Sequence, residues 1–423
     1  MLRLYFLIFS LLILSCRKGS ESTGPSNPPV NSPARSYGGF ANDVPTFAQK
    51  TSDGGFIIAG YTESFGAGNS DILLIKTDGY GNIQWAKTYG RIGDEEARYV
   101  LQTSDGGFVI AADTNNGILL IKTNANGDIQ WAKIYGGAGV SGISSVQQTS
   151  DGGYIMAGYS GSNKDILLIK TDGSGNVQWA KTYGGAGNEK ARYVIQTSDG
   201  GFVISGLTSS FVDYDYEIFI AKIDANGNLQ WFKTYKQVAY EDYYSNFSLQ
   251  KTSDGGYVLL YDGLLIKIDA NGNAQWAKEY GISYTYSIRQ TSDGGFIIGG
   301  SEEFNLIYYT TIIKTDANGN IQWAKYYPGS DAISVQQTND NGFMITAIEW
   351  NDFQANILLI RTDANGSVGN CPISNNTSVS VYNPTLNVED SPITTNSISI
   401  TPSNISLTTT NLNLTPQDKC PTK

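Results

Sequence analysis

The chain has 423 residues, a formal net charge of −11, only 16% charged residues, 48 glycines, 27 tyrosines and no histidine. Without histidine there is no Ser-His-Asp or Cys-His nucleophile system, no His-ligated zinc and no His general base. The acidic balance argues against nucleic acid as a partner, because a phosphate backbone is held by clustered Lys and Arg.

Residues 1–16 have the character of a targeting segment. Met1-Leu2-Arg3 precedes an apolar run from Leu4 to Leu14, short for a bilayer span and suited to a signal peptide. Ile13-Leu14-Ser15-Cys16 resembles the bacterial lipobox, which implies lipidation of Cys16; an ordinary secretory signal with an incidental cysteine is the alternative. Arg17-Lys18 after the cysteine, rather than Asp, resembles an outer-membrane sorting context. Residues 17–35 form a Pro/Ser/Gly tether without an apolar pattern.

From residue 36 to 370 one phrase recurs seven times. Its Ser-Asp-Gly-Gly element falls at Asp53, Asp105, Asp151, Asp199, Asp254 and Asp293, and as Asn-Asp-Asn-Gly at Asp340. Repeats of this length bury their apolar faces against one another. In the third copy four apolar runs are separable: SSVQQT, GYIMAGYS, DILLIKT and NVQWAKTYG, here strands a to d. Short Gly/Asn/Asp turns join a to b and c to d, and in the fifth copy Tyr261-Asp262-Gly263 alone connects strands b and c. Four antiparallel strands per repeat predict an all-β, seven-bladed β-propeller of four-stranded blades. The last copy lacks strand d, while Ser36-Tyr37-Gly38-Gly39 matches the end of strand d elsewhere. An N-terminal strand is therefore expected to close the ring and remove an edge.

The run IDANGNLQWFKTY from Ile223 to Tyr235 resembles the quinoprotein-type, tryptophan-docking propeller repeats. The whole unit is similar to repeats of bacterial secreted and lipoprotein propellers. The resemblance implies docking at blade contacts for Trp85, Trp131, Trp179, Trp231, Trp276 and Trp323. The seventh copy departs from it, with Ser367-Val368 in place of Gln-Trp, and the remaining tryptophan, Trp350, is expected in a loop. The vicinal disulfide, acid/Asn metal site and overlying cation that a quinone cofactor would require are not legible, so no cofactor is expected. The Asp-rich turns do not match a calcium-loop template, and no metal site is expected.

Several repeated or variable positions are candidates for chemistry. Strand c ends in Lys76, Lys122, Lys170, Lys222, Lys267, Lys314 and Arg361, expected to pair with the turn carboxylate of the same blade; a charged ring that binds an anion is the alternative. Strand a carries Lys50, Gln102, Gln148, Gln196, Lys251, Gln290 and Gln337, either as a polar ring around the channel or as partners of free backbone groups. Small residues in strand b (Ala157-Gly158, Ser205-Gly206, Gly299-Gly300) suggest room for a large side chain opposite. The a–b and c–d turns are monotonous, whereas the b–c and d–a loops vary, so binding is expected on the variable side. There copies four to six carry acids and aromatics: Asp213, Tyr214, Asp215, Tyr216, Tyr240, Glu241, Asp242, Tyr243, Tyr284 and Glu302.

The tail, residues 371–423, is rich in Ser, Thr and Asn yet alternates in polarity. This predicts short edge strands or an extended wrap on the flank. Cys371 and Cys420 are its two cysteines; a disulfide between them would contribute about 4 kcal/mol in the chain-entropy model, and two free thiols are the alternative.

The sequence thus leads to a lipid-anchored propeller at the bacterial cell envelope, at the outer membrane or cell surface, that binds an envelope protein or glycan without catalysis. A polysaccharide-acting enzyme using Asp213 or Asp215 with Glu241 is the alternative.

Overall fold

A computed structural model describes residues 33–369 apart from 116, 137–139, 162–163, 212–215, 240–246, 305–306, 328 and 352. Beyond these it describes the backbone of seven short strands in the tail. The signal segment, its lipobox Cys16 and the tail cysteines Cys371 and Cys420 lie outside the described residues.

Seven antiparallel blades form a closed β-propeller. In blade 3 strands a to d are Gly142–Gln148, Tyr154–Ser160, Asp165–Thr171 and Val177–Gly184. Strand c is apolar on both faces because each blade is covered by a neighbour on each side: in blade 1, Asp71–Thr77 is buried along its whole length. Core clusters accordingly span adjacent blades, as where Ile57, Ile72 and Leu74 of blade 1 meet Val100, Phe108 and Ile110 of blade 2. In blade 5, Tyr261 pairs with Leu264 across Asp262 and Gly263, both at positive φ, which is the backbone that a two-residue hairpin loop needs.

Gly158 and Gly206 of strand b make room for a strand-a carbonyl rather than for a large side chain. A Cβ at Gly158 would sit 2.0 Å from the Gly142 carbonyl oxygen, and one at Gly206 would sit 1.9 Å from that of Lys190. Strand a carries a register irregularity at this level (Ile143/Ser145 and Ala191/Tyr193), so its carbonyl takes the space in which a large side chain was expected.

The ring is closed by the N-terminal strand. Ala34–Tyr37 pairs antiparallel with strand c of blade 7, Gln354–Thr362, in the register Ala34↔Ile360 to Tyr37↔Ile357. The innermost strand of blade 7, Ser334–Gln337, meets that of blade 1, Asp43–Lys50, and Ser334 Oγ donates to the Ala48 carbonyl at 2.9 Å.

The tail adds a fifth, outermost strand to every blade. Asn375–Asn376 pairs with blade 6, Val381–Tyr382 with blade 5, Asn387–Asp390 with blade 4 and Thr394–Ser397 with blade 3. Pro402–Asn404 then pairs with blade 2, Thr408–Leu412 with blade 1, and Gln417–Asp418 with the closing strand Ala34–Tyr37. The tail therefore runs once around the propeller, against the order of the repeats, and caps each open edge.

Candidate binding face

The two sides of the disc are built differently. On the side of the a–b and c–d turns, the repeated residues are absorbed in joining strands and blades. Lys76 Nζ, buried at the end of strand c, donates to Asp53 Oδ2 at 2.8 Å, to the Thr77 carbonyl at 2.8 Å and to Gln84 Oε1 at 2.9 Å. Lys170 repeats this with Asp151, Thr171 and Gln178. Burial opposes ionisation of Asp53, but hydrogen bonds from Lys76, Thr51 and the Gly55 N–H outweigh it and hold the carboxyl at about 2. Asp105 and Asp151 have the same balance and the same value.

The strand-a glutamines reach between blades. Gln102 Oε1 accepts from the Ser52 N–H of the preceding blade at 2.7 Å, and Gln148, Gln196, Gln290 and Gln337 accept from Ser104, Ser150, Ser253 and Ser292. They satisfy backbone donors of neighbouring turns. The channel itself carries aromatic side chains: Phe47 and Tyr99 stack at 3.9 Å, Tyr193 meets Tyr99 edge-on at 6.2 Å, and the Arg289 guanidinium lies 5.9 Å from the Phe47 ring.

The six strand-d tryptophans sit at blade junctions. The Trp85 ring covers Gly127 in the c–d turn of blade 2, where a Cβ would stand 2.9 Å from it, and meets Phe108 edge-on at 5.8 Å. Gly127 has φ +77, so both its backbone and its contact require glycine. Trp131, Trp179, Trp231, Trp276 and Trp323 cover Gly175, Gly227, Gly272, Gly319 and Gly366 in turn. A second element at each junction was not singled out from the sequence. The tyrosine ending strand d donates its hydroxyl to the carbonyl of that same turn glycine, as Tyr89 does to Gly127 at 2.6 Å and Tyr183 to Gly227 at 2.7 Å. Only the tyrosine persists at all seven junctions, because the closing strand has Pro33 at the tryptophan position but retains Tyr37. There the Arg361 guanidinium lies over the Tyr80 ring at 4.8 Å, filling the contact in another way.

The side of the b–c and d–a loops has a different chemistry. Acids at the start of strand a organise their own loops: Glu95 accepts from the Arg91 N–H at 2.9 Å, and Glu189 accepts from the Gly185 N–H at 2.9 Å and Thr208 Oγ1 at 2.8 Å. Of the ten residues proposed from the sequence, Asp213, Tyr214, Asp215, Tyr240, Glu241, Asp242 and Tyr243 lie outside the described residues. Tyr216 is in the core between blades 4 and 5, packed with Tyr235 and Phe247 at the start of strand c, and is not a surface group. Tyr284 and Glu302 are half-buried in blade 6. The Tyr284 ring is 6.4 Å from that of Tyr308, and burial pushes the Glu302 carboxyl up. Beside them the Tyr286 hydroxyl donates to Asp331 Oδ1 at 2.6 Å, and Ser301 donates to the same oxygen at 3.0 Å.

The same side holds an apolar group that the sequence reading did not select. Phe40, in the loop after the closing strand, is 98% exposed; Phe353, at the b–c hairpin of blade 7, is 96% exposed. Gln354 Nε2 donates to the carbonyls of Gly39 and Ala41, on both sides of Phe40, so the hairpin and loop are held together. Trp350 is 56% exposed and lies in strand b of blade 7, Phe343–Asn351, not in a loop; the nine-residue strands of this hairpin, matched only in blade 6, carry it outward. Its indole N–H donates to Ser330 Oγ at 3.2 Å. Ile92 and Tyr308 complete the set, and Tyr80 is the one exposed large hydrophobic of the described residues on the opposite side. No signal in a single sequence separates such an aromatic from a buried one in a loop of the same composition.

No family model matches the chain, and no curated protein matches it. Among solved structures it is similar to a protein of unknown function from Bacteroides caccae, at 13% identity and TM-score 0.42 over 63% of this chain and 92% of that one. It is also similar to the Neurospora crassa Pan2 WD40 domain, at 11% identity and TM-score 0.46, covering 77% and 91% of the two chains. The dihydro-heme d1 dehydrogenase NirN is similar at 12% identity and TM-score 0.44, covering 88% of this chain and 77% of that one. At these values no activity carries over.

Proposed function

We propose that this propeller is a non-enzymatic binding module, lipid-anchored through Cys16 at the bacterial cell envelope, that engages its partner through the variable side of the disc. One observation carries the reading. Five of the six exposed large hydrophobics among the described residues, Phe40, Ile92, Tyr308, Trp350 and Phe353, lie on that side, around blades 6, 7, 1 and 2. Exposed apolar groups gathered on one side of a soluble fold mark interaction sites more often than scattered ones do. Three of the five, aliphatic Ile92 and the two phenylalanines, have no polar handle, which favours an apolar protein surface over a glycan that only Tyr308 and Trp350 would stack. The Tyr/Glu group of blade 6 extends the face with polar contacts suited to a rim.

A glycan array and a hydrolysis screen on the chain from Ser32, beside cross-linking to envelope proteins from a photoreactive group at position 92, test this. Specific cross-links lost in the Phe40→Ser/Phe353→Ser chain, with no hydrolysis, are expected. Release of reducing ends that Asp215→Asn abolishes would overturn the reading in favour of a polysaccharide-acting enzyme.

A further inference from the structure

The tail keeps a strict register around the ring. The residues of the tail that face the same position of the outer strand are Asn375 (opposite Tyr326), Tyr382 (Glu279), Glu389 (Thr234), Asn396 (Thr182), Ser403 (Ile134), Thr410 (Thr88) and Gln417 (Ser36). Each step from one blade to the next is seven residues. The sequence carries the same period, with Val379, Leu386, Ile393, Ile400, Leu407 and Leu414 recurring at one phase. Every one of these falls in the connector between two belt strands. Seven residues per blade and seven blades make one circuit of the propeller equal to 49 residues. Cys371 and Cys420 are 49 residues apart.

We infer that Cys371 and Cys420 meet over the groove between blades 6 and 7 and form a disulfide that closes the tail into a covalent girdle around the propeller. Cys371 precedes the belt strand on blade 6 by four residues, and Cys420 follows Gln417 on blade 7 by three. Continued four residues before Asn375 and three beyond Gln417, the seven-residue step would bring the two cysteines to the same phase and the same groove. A disulfide needs Cα atoms within about 7 Å, and a ring that returns the chain to its starting angle supplies that proximity where a free tail of this length would not. The bond forms by exchange. One cysteine thiolate attacks a disulfide oxidant such as oxidised glutathione, the second displaces the mixed disulfide, and two glutathione thiols leave as the cysteine pair loses two electrons and two protons.

The girdle has a consequence for the anchor. Ala34–Tyr37 is held between strand c of blade 7 and the belt strand Gln417–Asp418. This closing strand connects directly to the tether and Cys16, so a pull on the anchor loads it first. With the girdle closed, blade 7 cannot move away from blade 1 without breaking a covalent bond or unthreading the whole belt.

The test is to reduce the full chain, reoxidise it folded with oxidised glutathione, and map the linked peptides by mass. One bond joining the Cys371 and Cys420 peptides, with Cys16 outside it, is expected. The control is a Cys420→Ser/Asn413→Cys chain, which places the second thiol at the same phase one blade earlier and is expected to keep both thiols free. Proteolytic loss of the closing strand should also speed up roughly tenfold or more on reduction of the native chain. Two free thiols in the folded, oxidant-treated native chain, or equal cross-linking in the Asn413→Cys control, would overturn the inference.

Discussion

The Tyr37 hydroxyl donates to the Gly81 carbonyl at 2.8 Å, joining the N-terminal strand of the last blade to the c–d turn of the first. The same bond is made at the other six junctions by residues of consecutive repeats, but here it spans the closure of the ring. Tyr37 lacks the tryptophan that shares this work elsewhere, so more of the closure depends on it.

Tyr37→Phe leaves the Gly81 carbonyl unpaired in a buried site and is expected to lower stability by about 1–2 kcal/mol. Tyr183→Phe, at an ordinary junction, should cost a similar amount in a thermal melt. Only Tyr37→Phe should also hasten tryptic release of the N-terminal strand. Equal proteolysis of the two variants would show that closure does not rest on this bond.

Trp179 packs on Gly227 and meets Phe202 edge-on at 6.2 Å, with part of its ring open to solvent. Trp179→Ala is therefore expected to cost about 2–3 kcal/mol, below the value for a fully buried tryptophan. Chemical denaturation measures this, and a change under half a kcal/mol would mean that the ring does not hold the junction.

The turn carboxylates set an acid limit. Asp53, Asp105, Asp151 and Asp254 are each held at about 2, below their ordinary value of 3.8. A depressed folded-state value means stability that is present above about pH 4 and lost as pH falls through about 2. Each carboxylate is about half exposed, so screening limits each pair to less than about 1 kcal/mol. Melting temperature should be flat from pH 7 to about 5 and then fall. Lys170→Met should be less stable than the parent at pH 7, and the gap should narrow toward pH 2. A gap independent of pH would assign the loss to packing instead.

Phe353→Ser and Phe40→Ser remove side chains that are almost wholly exposed, so each is expected to change stability by under about 0.5 kcal/mol. Both should abolish partner cross-linking, while Tyr80→Ser on the opposite side should not. Loss of binding with Tyr80→Ser alone would move the binding face to the turn side.

The Ser-Asp-Gly-Gly turns, the all-apolar strand c and the tryptophan spacing are local signals repeated seven times, and the sequence alone was enough to reach a seven-bladed ring closed from its N-terminus. Lys170 with Asp151 belongs to the same class, since both residues lie in one blade. The glutamine contacts, the tyrosine hydroxyl bonds and the space beside Gly158 needed the structure. They depend on how one blade sits on the next, or on a carbonyl displaced at an irregularity in strand a. The exposure of Phe40 and Phe353 likewise depends on two segments more than three hundred residues apart being held together by Gln354. In the tail, the recurrence of Val379, Leu386, Ile393, Ile400, Leu407 and Leu414 is written in the sequence, but a period of seven acquires meaning only against the angular step of a ring with seven outer edges. The chain by itself determined the repeat and its count. The tertiary structure decided what the period of the tail is measured against, because register between distant strands is set by the packing of whole blades and not by any segment alone.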